Sequence, residues 1–153
     1  MNYLTKPLTA GLYFVATPIG SARDMTLRGL DILASADLIA AEDTRTARKL
    51  MEIHGVPLNG RQVVAFHDHT GDAATKRFVD AIQAGKSVAY VSEADTTLIA
   101  DPGYQLVADA RRDGLSVWSA PGPAACIAAL TVAGLPTDQF HFAGFLAPHK
   151  VAR

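Results

Sequence analysis

The sequence has little cysteine and no long apolar run. One cysteine, Cys126, stands among 153 residues, so no disulfide can form within the chain and a reducing compartment such as the cytoplasm is expected. No stretch approaches the ~18 consecutive apolar residues of a membrane-spanning helix, and the opening residues MNYLTKPLTA lack the apolar core of a signal peptide. These absences predict a soluble cytoplasmic protein that does not contact membranes.

Several ligand-binding and catalytic motifs are missing as well. The chain contains no G-x-G-x-x-G after its first apolar run, no G-x-x-x-x-G-K-[ST] and no G-x-S-x-G. Dinucleotide-binding, P-loop and serine-hydrolase interpretations therefore lose their main support. His67, Asp68 and His69 could ligate a metal, since the two histidines share one face of a strand, but no third ligand is evident from the spacing. No metal site is predicted.

Neither sign of charge is in excess. Lys and Arg number 14 and Asp and Glu 15, which leaves a formal net charge of −1. No overall basic field therefore directs the protein to nucleic acid, although a local basic patch can coexist with a neutral total. With 49% hydrophobic and 19% charged residues the composition is that of a globular domain, and the length suits one substantial core.

Apolar runs alternate with helical patterns along the chain. The runs predict strands at residues 12–16, 37–43, 63–69, 86–92 and 115–120, and a sixth at 140–146. Helical patterns follow them at residues 44–55, 71–85 and 104–114, and residues 21–36 and 121–134 each predict a turn followed by a helix. The residues predicted to face inward from two of these helices are Leu27, Leu30, Leu33 or Ala34 in the first and Phe78, Val79 and Ile82 in the third.

This alternation predicts an α/β fold with a mostly parallel sheet of about five strands and helices on both faces. In such sheets ligands bind at the carboxyl ends of the strands. The segments at those ends are therefore the candidates for a functional site. They are residues 17–24, 42–45, 67–70, 92–103 and 121–124.

The end of the second predicted strand combines acidic and basic residues. Glu42 and Asp43 close the strand, where ligands usually bind, and point to a functional site. Cations follow at helical spacing and form one basic face, Arg45, Arg48 and Lys49. A purely structural alternative is that Asp43 or Thr44 caps the helix and that the cations are solvated.

Six blocks of sequence carry a family resemblance. In order they are LYFVATPIGSARDMTLR, ADLIAAEDTRTARKL, FHDH, VAYVSEADTTLIADPGY, APGPAA and GLPTDQFHFAGFL, and they extend from about Gly11 to about Pro148. In order and separation they resemble the ribosomal small-subunit RNA methyltransferase I family, within the tetrapyrrole-methylase-like superfamily. Two alternatives stay open: a tetrapyrrole or diphthamide-pathway methylase of the same superfamily, and a degenerate non-catalytic binding module. AEDTR and LPTDQFHFAGFL favour the rRNA branch.

The resemblance implies an activity, a cofactor and a partner. The activity is S-adenosylmethionine-dependent methylation of the ribose 2′-hydroxyl of a cytidine in small-subunit (16S) rRNA, with that rRNA or the assembled small ribosomal subunit as partner. Family members hold the cofactor between two α/β domains. Carried onto this chain, residues 1–120 form the N-terminal domain, and residues 121–153 form an interdomain turn, a helix and the first strand of a truncated C-terminal domain. Apolar cleft surface left exposed by the truncation predicts a homodimer.

The resemblance also assigns site residues. The loops after the fourth and fifth strands supply the cofactor candidates Ser92, Ala94, Asp95, Thr96, Asp101, Pro102, Pro121, Gly122, Pro123 and Ala124. The first loop faces the substrate cleft in the family. This loop and the basic helix supply the substrate candidates, which are Pro18, Gly20, Arg23, Arg45 and Arg48. Arg45 would suit an RNA phosphate.

Removal of the hydroxyl proton requires a base as well as in-line positioning of the acceptor oxygen. The candidate catalytic residues are Asp43, His67 and Glu42, which stand at strand ends. The alternative is that Asp43 caps a helix and His67 packs.

The loop after the fourth strand departs from the family pattern S-D-A-G-T-P. Glu93, Asp95 and Thr97 stand where the family usually has Asp, Gly and Pro, whereas the following ADPGY is intact. If the glycine position has a positive φ, a side chain there costs roughly 1–2 kcal/mol, and Thr97 loses the fixed φ of proline. Weakened S-adenosylmethionine binding is therefore predicted.

Overall fold

Each of the first five apolar runs forms a strand of one sheet. The computed structural model describes residues 2–67, 70–94, 96 and 103–144. The strands are β1 (Gly11–Val15), β2 (Leu38–Ala41), β3 (Val63–Ala65), β4 (Ser87–Val91) and β5 (Val117–Ala120). Their order across the sheet is β3-β2-β4-β1-β5, and every neighbouring pair is parallel. The predicted α/β class and parallel five-stranded sheet are confirmed.

Helices connect successive strands. They are α1 (Leu27–Ser35), α2 (Thr44–Ile53), α3 (Gly71–Gln83) and α4 (Tyr104–Arg112), and a further helix, α5 (Ala125–Val132), follows β5. Thr26 caps α1, since its side chain accepts a hydrogen bond from the Gly29 N–H. None of the helices in the described parts of the chain is long and apolar enough to cross a membrane.

Two apolar layers cover the two faces of the sheet. Alternate strand residues point to opposite faces, so Val15 packs in one cluster and Phe14 in the other. Residues of α1 and α2 complete the first cluster, and residues of α3 and α4 complete the second. The predicted inward residues Phe78, Val79 and Ile82 are buried, as are Leu30 and Leu33 of α1.

The direction of the connections creates a crevice. The β2–α2–β3 connection leads towards one edge of the sheet, whereas the β4–α4–β5 connection leads towards the other. β2 and β4 are neighbours, so the chain leaves the carboxyl ends of these two strands in opposite directions. The place where the directions diverge is called the switch point, and ligands of open parallel sheets bind there.

Three predicted details differ from the structure. Leu27 is 63% exposed rather than inward, because it is the first residue of α1 and the buried part of this helix begins at Gly29. β3 ends at Ala65, and His67 lies in a turn closed by Thr70. The prediction that this strand extends to residue 69 is therefore wrong for residues 66 and 67, the described part of the extension. Asp68 and His69 lie outside the described residues.

The predicted sixth strand is also not formed over residues 140–144, its described part. Phe140 and Phe142 are about half exposed, and no strand of the described chain pairs with this segment. A strand needs a neighbour to satisfy its backbone, which an apolar run alone does not provide.

Candidate functional site at the carboxyl ends of the strands

A cavity of about 590 Å³ opens at the switch point between β2 and β4. Its volume lies in the range of small-molecule sites. Three segments line it: the loop after β1, the helix α2 and the loop after β4. The predicted residues found in its wall are Pro18, Gly20, Asp43, Arg45, Ser92 and Ala94.

The loops at this end of the sheet are joined to one another. The buried hydroxyl of Thr17, in the loop after β1, donates a hydrogen bond to the Ser92 carbonyl after β4, at 3.3 Å. The Glu42 N–H donates to the Val91 carbonyl at 3.2 Å and so extends the β2–β4 pairing to the tip of the sheet. These bonds place the ends of three neighbouring strands around one opening.

The loop after β4 is also attached to α2. The backbone N–H of Glu93 donates to Glu42 Oε2 at 3.2 Å, and the Thr46 hydroxyl donates to Glu93 Oε1 at 3.3 Å. Glu93 therefore joins two walls of the cavity through its backbone and its side chain. Ala94, which follows, has a φ of +59°, a left-handed conformation that a side chain disfavours.

Asp43 is the N-cap of α2. Its Oδ1 accepts hydrogen bonds from the backbone N–H groups of Arg45 and Thr46, at 2.7 and 3.3 Å, and its Oδ2 lies 2.9 Å from the Arg45 guanidinium. The hydrogen bond from the Arg45 side chain, followed by that from its backbone, lowers the pKa of Asp43 to about 2. A carboxylate held in this way is a weak base at neutral pH. Of the two predicted caps, Asp43 and Thr44, the structure has Asp43, and catalysis by Asp43 stays a prediction.

The other two base candidates lie outside the lining of the cavity. Glu42 is half-buried, and its carboxylate faces the loop after β4 through the bond to the Glu93 N–H. His67 stands at the tip of β3, at the edge of the sheet, where Thr70 closes its turn with a 2.6 Å hydrogen bond to the His67 carbonyl. Their catalytic roles likewise stay predictions.

The predicted substrate arginines are separated by the fold. Arg45 lines the cavity, and Arg48 is exposed on α2 outside it. Arg23 lines a second, smaller hollow. Lys49, one turn after Arg45, lines the cavity and is paired with Glu52 at 3.0 Å. Arg45 and Lys49 stand four residues apart, and this spacing already indicated that both side chains lie on the same face of α2.

The predicted cofactor loops meet beside the cavity. The Thr96 hydroxyl donates a 2.6 Å hydrogen bond to the Pro123 carbonyl and lies 3.4 Å from the Gly122 carbonyl, which joins the loops after β4 and β5. Gly122 packs on the end of β1 so closely that an added Cβ would stand 2.9 Å from the Ala16 Cβ. Three further cofactor candidates lie outside the described residues: Asp95, Asp101 and Pro102.

Thr46 and Glu93 line the cavity but are not among the predicted candidates. Thr46 has the character of an ordinary helix-surface residue, whereas Glu93 stands out in the sequence only as a departure from the family loop. Lys49, which also lines the cavity, was predicted only as part of the basic face of α2. The arrangement can hold a small polar ligand between an acidic loop and a helix that carries cations.

Residues 11–153 match the family model of the Tetrapyrrole (Corrin/Porphyrin) Methylases. The chain is 49% identical over 148 residues to "Ribosomal RNA small subunit methyltransferase I" of Mesorhizobium japonicum, covering 97% of this chain and 49% of that protein. It is 46% identical over 142 residues to the protein of the same name in Vibrio cholerae, covering 93% and 48%. The chain thus spans about half the length of these curated relatives.

Solved structures share the fold. A cobalamin biosynthetic enzyme, cobalt precorrin-4 methyltransferase, aligns with a TM-score of 0.63 at 21% identity, covering 80% of this chain and 49% of that one. Diphthine synthase aligns with a TM-score of 0.62 at 18% identity, covering 82% and 49%. At these identities the likeness concerns architecture alone.

Proposed function

Because the chain belongs to the tetrapyrrole (corrin/porphyrin) methylase family, we propose that it forms the N-terminal half of an S-adenosylmethionine-dependent methyltransferase of small-subunit rRNA. The observation that carries this proposal is the 49% identity to a ribosomal RNA small subunit methyltransferase I over 97% of the chain. The proposed reaction is methylation of the ribose 2′-hydroxyl of a cytidine in 16S rRNA. The proposed partner is the small ribosomal subunit or its RNA, in the cytoplasm.

The residues present fit a nucleoside-type methyl donor. The bond between the Thr96 hydroxyl and the Pro123 carbonyl keeps the loops after β4 and β5 side by side, so both can contact one ligand. Backbone groups and the Glu93 carboxylate offer polar partners at their rim. We assign cofactor binding to the loop segments 92–102 and 121–124, which contain all of the predicted cofactor candidates. When bound, S-adenosylmethionine supplies the electrophilic methyl group.

The substrate side of the site is proposed to be the loop after β1 and the start of α2. Pro18 and Gly20 would contact the target nucleotide, and Arg45 would bind an RNA phosphate. Asp43 would orient the Arg45 guanidinium, since it already binds both its side chain and its backbone N–H. A carboxylate whose pKa is lowered by its hydrogen bonds to a guanidinium is poorly suited to accept a proton. We therefore retain Glu42 and His67 as the candidate bases and give Asp43 the positioning role.

The domain division follows from the same proposal. Residues 1–120 contain all five strands of the sheet in the described part of the chain, and residues 121–153 begin with the Pro121–Ala124 turn and α5. In the proposed enzyme the second segment leads into a further α/β domain, which would supply the other wall of the cofactor site.

The test is a methyl-transfer assay with the whole product of the gene. Small ribosomal subunits that lack 2′-O-methylcytidine are incubated with radiolabelled S-adenosylmethionine, and the RNA is digested to nucleosides. We expect label in 2′-O-methylcytidine. Label in a base, or methyl transfer to a tetrapyrrole in place of RNA, would contradict the proposal and favour another branch of the superfamily.

A non-catalytic binding module is the second candidate. It is favoured by the loop residues Glu93, Asp95 and Thr97 and by the left-handed conformation of Ala94. In that case the small subunit would bind the protein but acquire no label.

A further inference from the structure

A second hollow, of about 320 Å³, lies next to the cavity. Ala22 and Ile53 line both, so a single wall separates the two openings. The wall is held in place by His54, whose Nε2 lies 2.9 Å from the Ala22 carbonyl and donates to it, since a carbonyl only accepts. The two hollows therefore form one fixed surface with two adjacent compartments.

Two large aliphatic side chains stand exposed among polar residues in the lining of the second hollow. Leu27 and Ile53 line it with 63% and 56% of their surfaces exposed, whereas Met25 and Leu30 form a buried floor. Exposed aliphatic side chains add little to folding, and at a concave surface they offer a ligand an apolar contact. The flat face of a nucleobase is one such ligand.

The rim of the hollow carries a cation that is not neutralised. Arg23 lines it, and among the described residues no carboxylate lies within ion-pairing distance of its guanidinium. Both cations of the larger cavity, by contrast, are paired, Arg45 with Asp43 and Lys49 with Glu52. An anion would therefore gain more from Arg23 than from either of them.

We propose that the second hollow binds a nucleotide adjacent to the target nucleotide in single-stranded RNA. The base of this nucleotide packs against Leu27 and Ile53, and its phosphate contacts Arg23. Single-stranded RNA is recognised in this way, with bases splayed into neighbouring compartments and phosphates held by arginine. The inference rests on the proposed function, because it requires an RNA strand whose target nucleotide occupies the larger cavity.

The phosphate contact is tested by binding of a short fluorescein-labelled single-stranded RNA to the full chain, followed by fluorescence anisotropy over a range of salt concentrations. Arg23→Gln should weaken binding by about five- to tenfold and lower the slope of log K against log salt by roughly 0.7, the value for one phosphate on a single strand. The matched control is Arg28→Gln, which removes the same charge five residues along the chain. Arg28 is exposed, lies outside the hollow and has no ion pair within the described part of the chain. It should change binding by less than about twofold.

The base contact is tested by a double-mutant cycle. An abasic site is moved through the RNA one position at a time, and each RNA is titrated against the unchanged chain and Leu27→Ser. At one position the abasic site should weaken binding to the unchanged chain several-fold. The same abasic site should not weaken binding to Leu27→Ser further, because this variant has already lost the contact between the base and Leu27. Leu27 is largely exposed, so Leu27→Ser should fold normally, which thermal unfolding checks.

Each outcome bears on the proposal. Equal weakening by Arg23→Gln and Arg28→Gln would mean general charge attraction and would overturn the phosphate contact. Strictly additive effects of the abasic site and Leu27→Ser at every position would overturn the base contact. An unchanged chain that binds no RNA would contradict the proposed function together with the inference, whereas normal binding that ignores Arg23 and Leu27 would contradict the inference alone.

Discussion

At the scale of the residue, Asp43 links the start of α2 to Arg45, one of the two cations in the cavity wall. Its carboxylate accepts two backbone N–H groups and pairs with Arg45, an arrangement that requires the negative charge. The same bonds raise the pKa of the Arg45 guanidinium, so each group holds the other in its charged form. Protonation of Asp43 should therefore loosen both the cap and the arginine.

This coupling predicts a specific acid sensitivity. The pKa of Asp43 is about 2 in the folded chain, below the ~3.9 of an unfolded aspartate. A carboxyl group with a lowered pKa in the folded chain stabilises the fold at every pH above its pKa in the unfolded chain. This stabilisation disappears as the pH falls from about 4 to about 2. Thermal unfolding between pH 7 and pH 2 should show a smaller acid-induced loss of melting temperature in Asp43→Asn than in the unchanged chain. Asparagine also caps helices, so the two proteins should differ little in cap quality alone.

Asp37 provides the internal comparison for that experiment. Its pKa is also lowered, mainly by a hydrogen bond from the Ser87 N–H, and both proteins retain it. Some acid sensitivity should thus remain in Asp43→Asn. Identical pH profiles for the two proteins would show that Asp43 contributes nothing to stability.

Individual residues also show where the sequence was informative. The cap of α2 could be narrowed to Asp43 or Thr44, because capping depends on residue type and on position relative to a helix start. Leu27 could not be placed, because its spacing to Leu30 is that of a buried helix face, and only its position at the very start of α1 leaves it exposed. Glu93 was visible as an unusual residue, but its bond with Thr46 depends on the distance between two loops that are far apart in the chain.

At the scale of the element, Arg61 fastens the end of α1 to the link before β3. Its guanidinium donates to the carbonyls of Leu33 and Ala36 at 2.7 and 2.9 Å, and to those of Leu58 and Pro57 at 2.9 and 2.7 Å. Helix C-termini leave carbonyls without intrahelical partners, and a planar guanidinium can reach several at once. Arg61 is half-buried, and this burial lowers the pKa of its guanidinium.

Replacing Arg61 by lysine should therefore destabilise the fold. A lysine ammonium keeps the charge but cannot span four carbonyls, so at least one buried acceptor loses its partner at a cost of about 2 kcal/mol. Urea unfolding measures the difference. The control is Arg77→Lys, because Arg77 makes one exposed hydrogen bond, to Gln62, and should lose less than about 0.5 kcal/mol. Equal effects of the two substitutions would contradict the structural role of Arg61.

The loop after β4 leads to a prediction on cofactor affinity. Asp95 and Thr97 stand where the family pattern has glycine and proline, and the neighbouring Ala94 already adopts a left-handed conformation. A side chain in place of glycine restricts such a loop, and threonine lacks the fixed φ of proline. Isothermal titration with S-adenosylmethionine should show tighter binding by the double variant Asp95→Gly, Thr97→Pro than by the unchanged chain. The single variant Thr44→Ser, outside this loop, is the control and should leave affinity unchanged, and equal affinities of all three would refute the prediction.

At the scale of the whole molecule, the sheet was predictable because its strands are covered on both faces. Such strands are continuous apolar runs bounded by helices, and their parallel arrangement follows from the alternation. The strand order β3-β2-β4-β1-β5 was not predictable, since it depends on contacts between distant segments. One site could nonetheless be assigned to Pro18, Arg45 and Ser92, because the carboxyl ends of parallel strands all lie at the same end of the sheet.

Beyond the sheet, the chain presents an uncovered apolar helix. α5 consists of apolar residues and one threonine, and none of its residues is buried. Exposed apolar side chains continue after it, at Leu135, Phe140 and Phe142. An isolated helix of this length is marginal in water, so its stability depends on packing against another surface.

Self-association of the 153-residue chain is the expected consequence, because a second copy can cover this apolar surface. Light scattering should show a dimer or larger species whose fraction rises with protein concentration. Ile127→Ser combined with Val132→Ser should shift the chain towards monomer, since these side chains are 47% and 84% exposed on α5. Leu4→Ser is the matched control, because Leu4 is 58% exposed but lies in the N-terminal segment. A monomer at high concentration, or equal effects of the α5 and Leu4 substitutions, would show that α5 is not the associating surface.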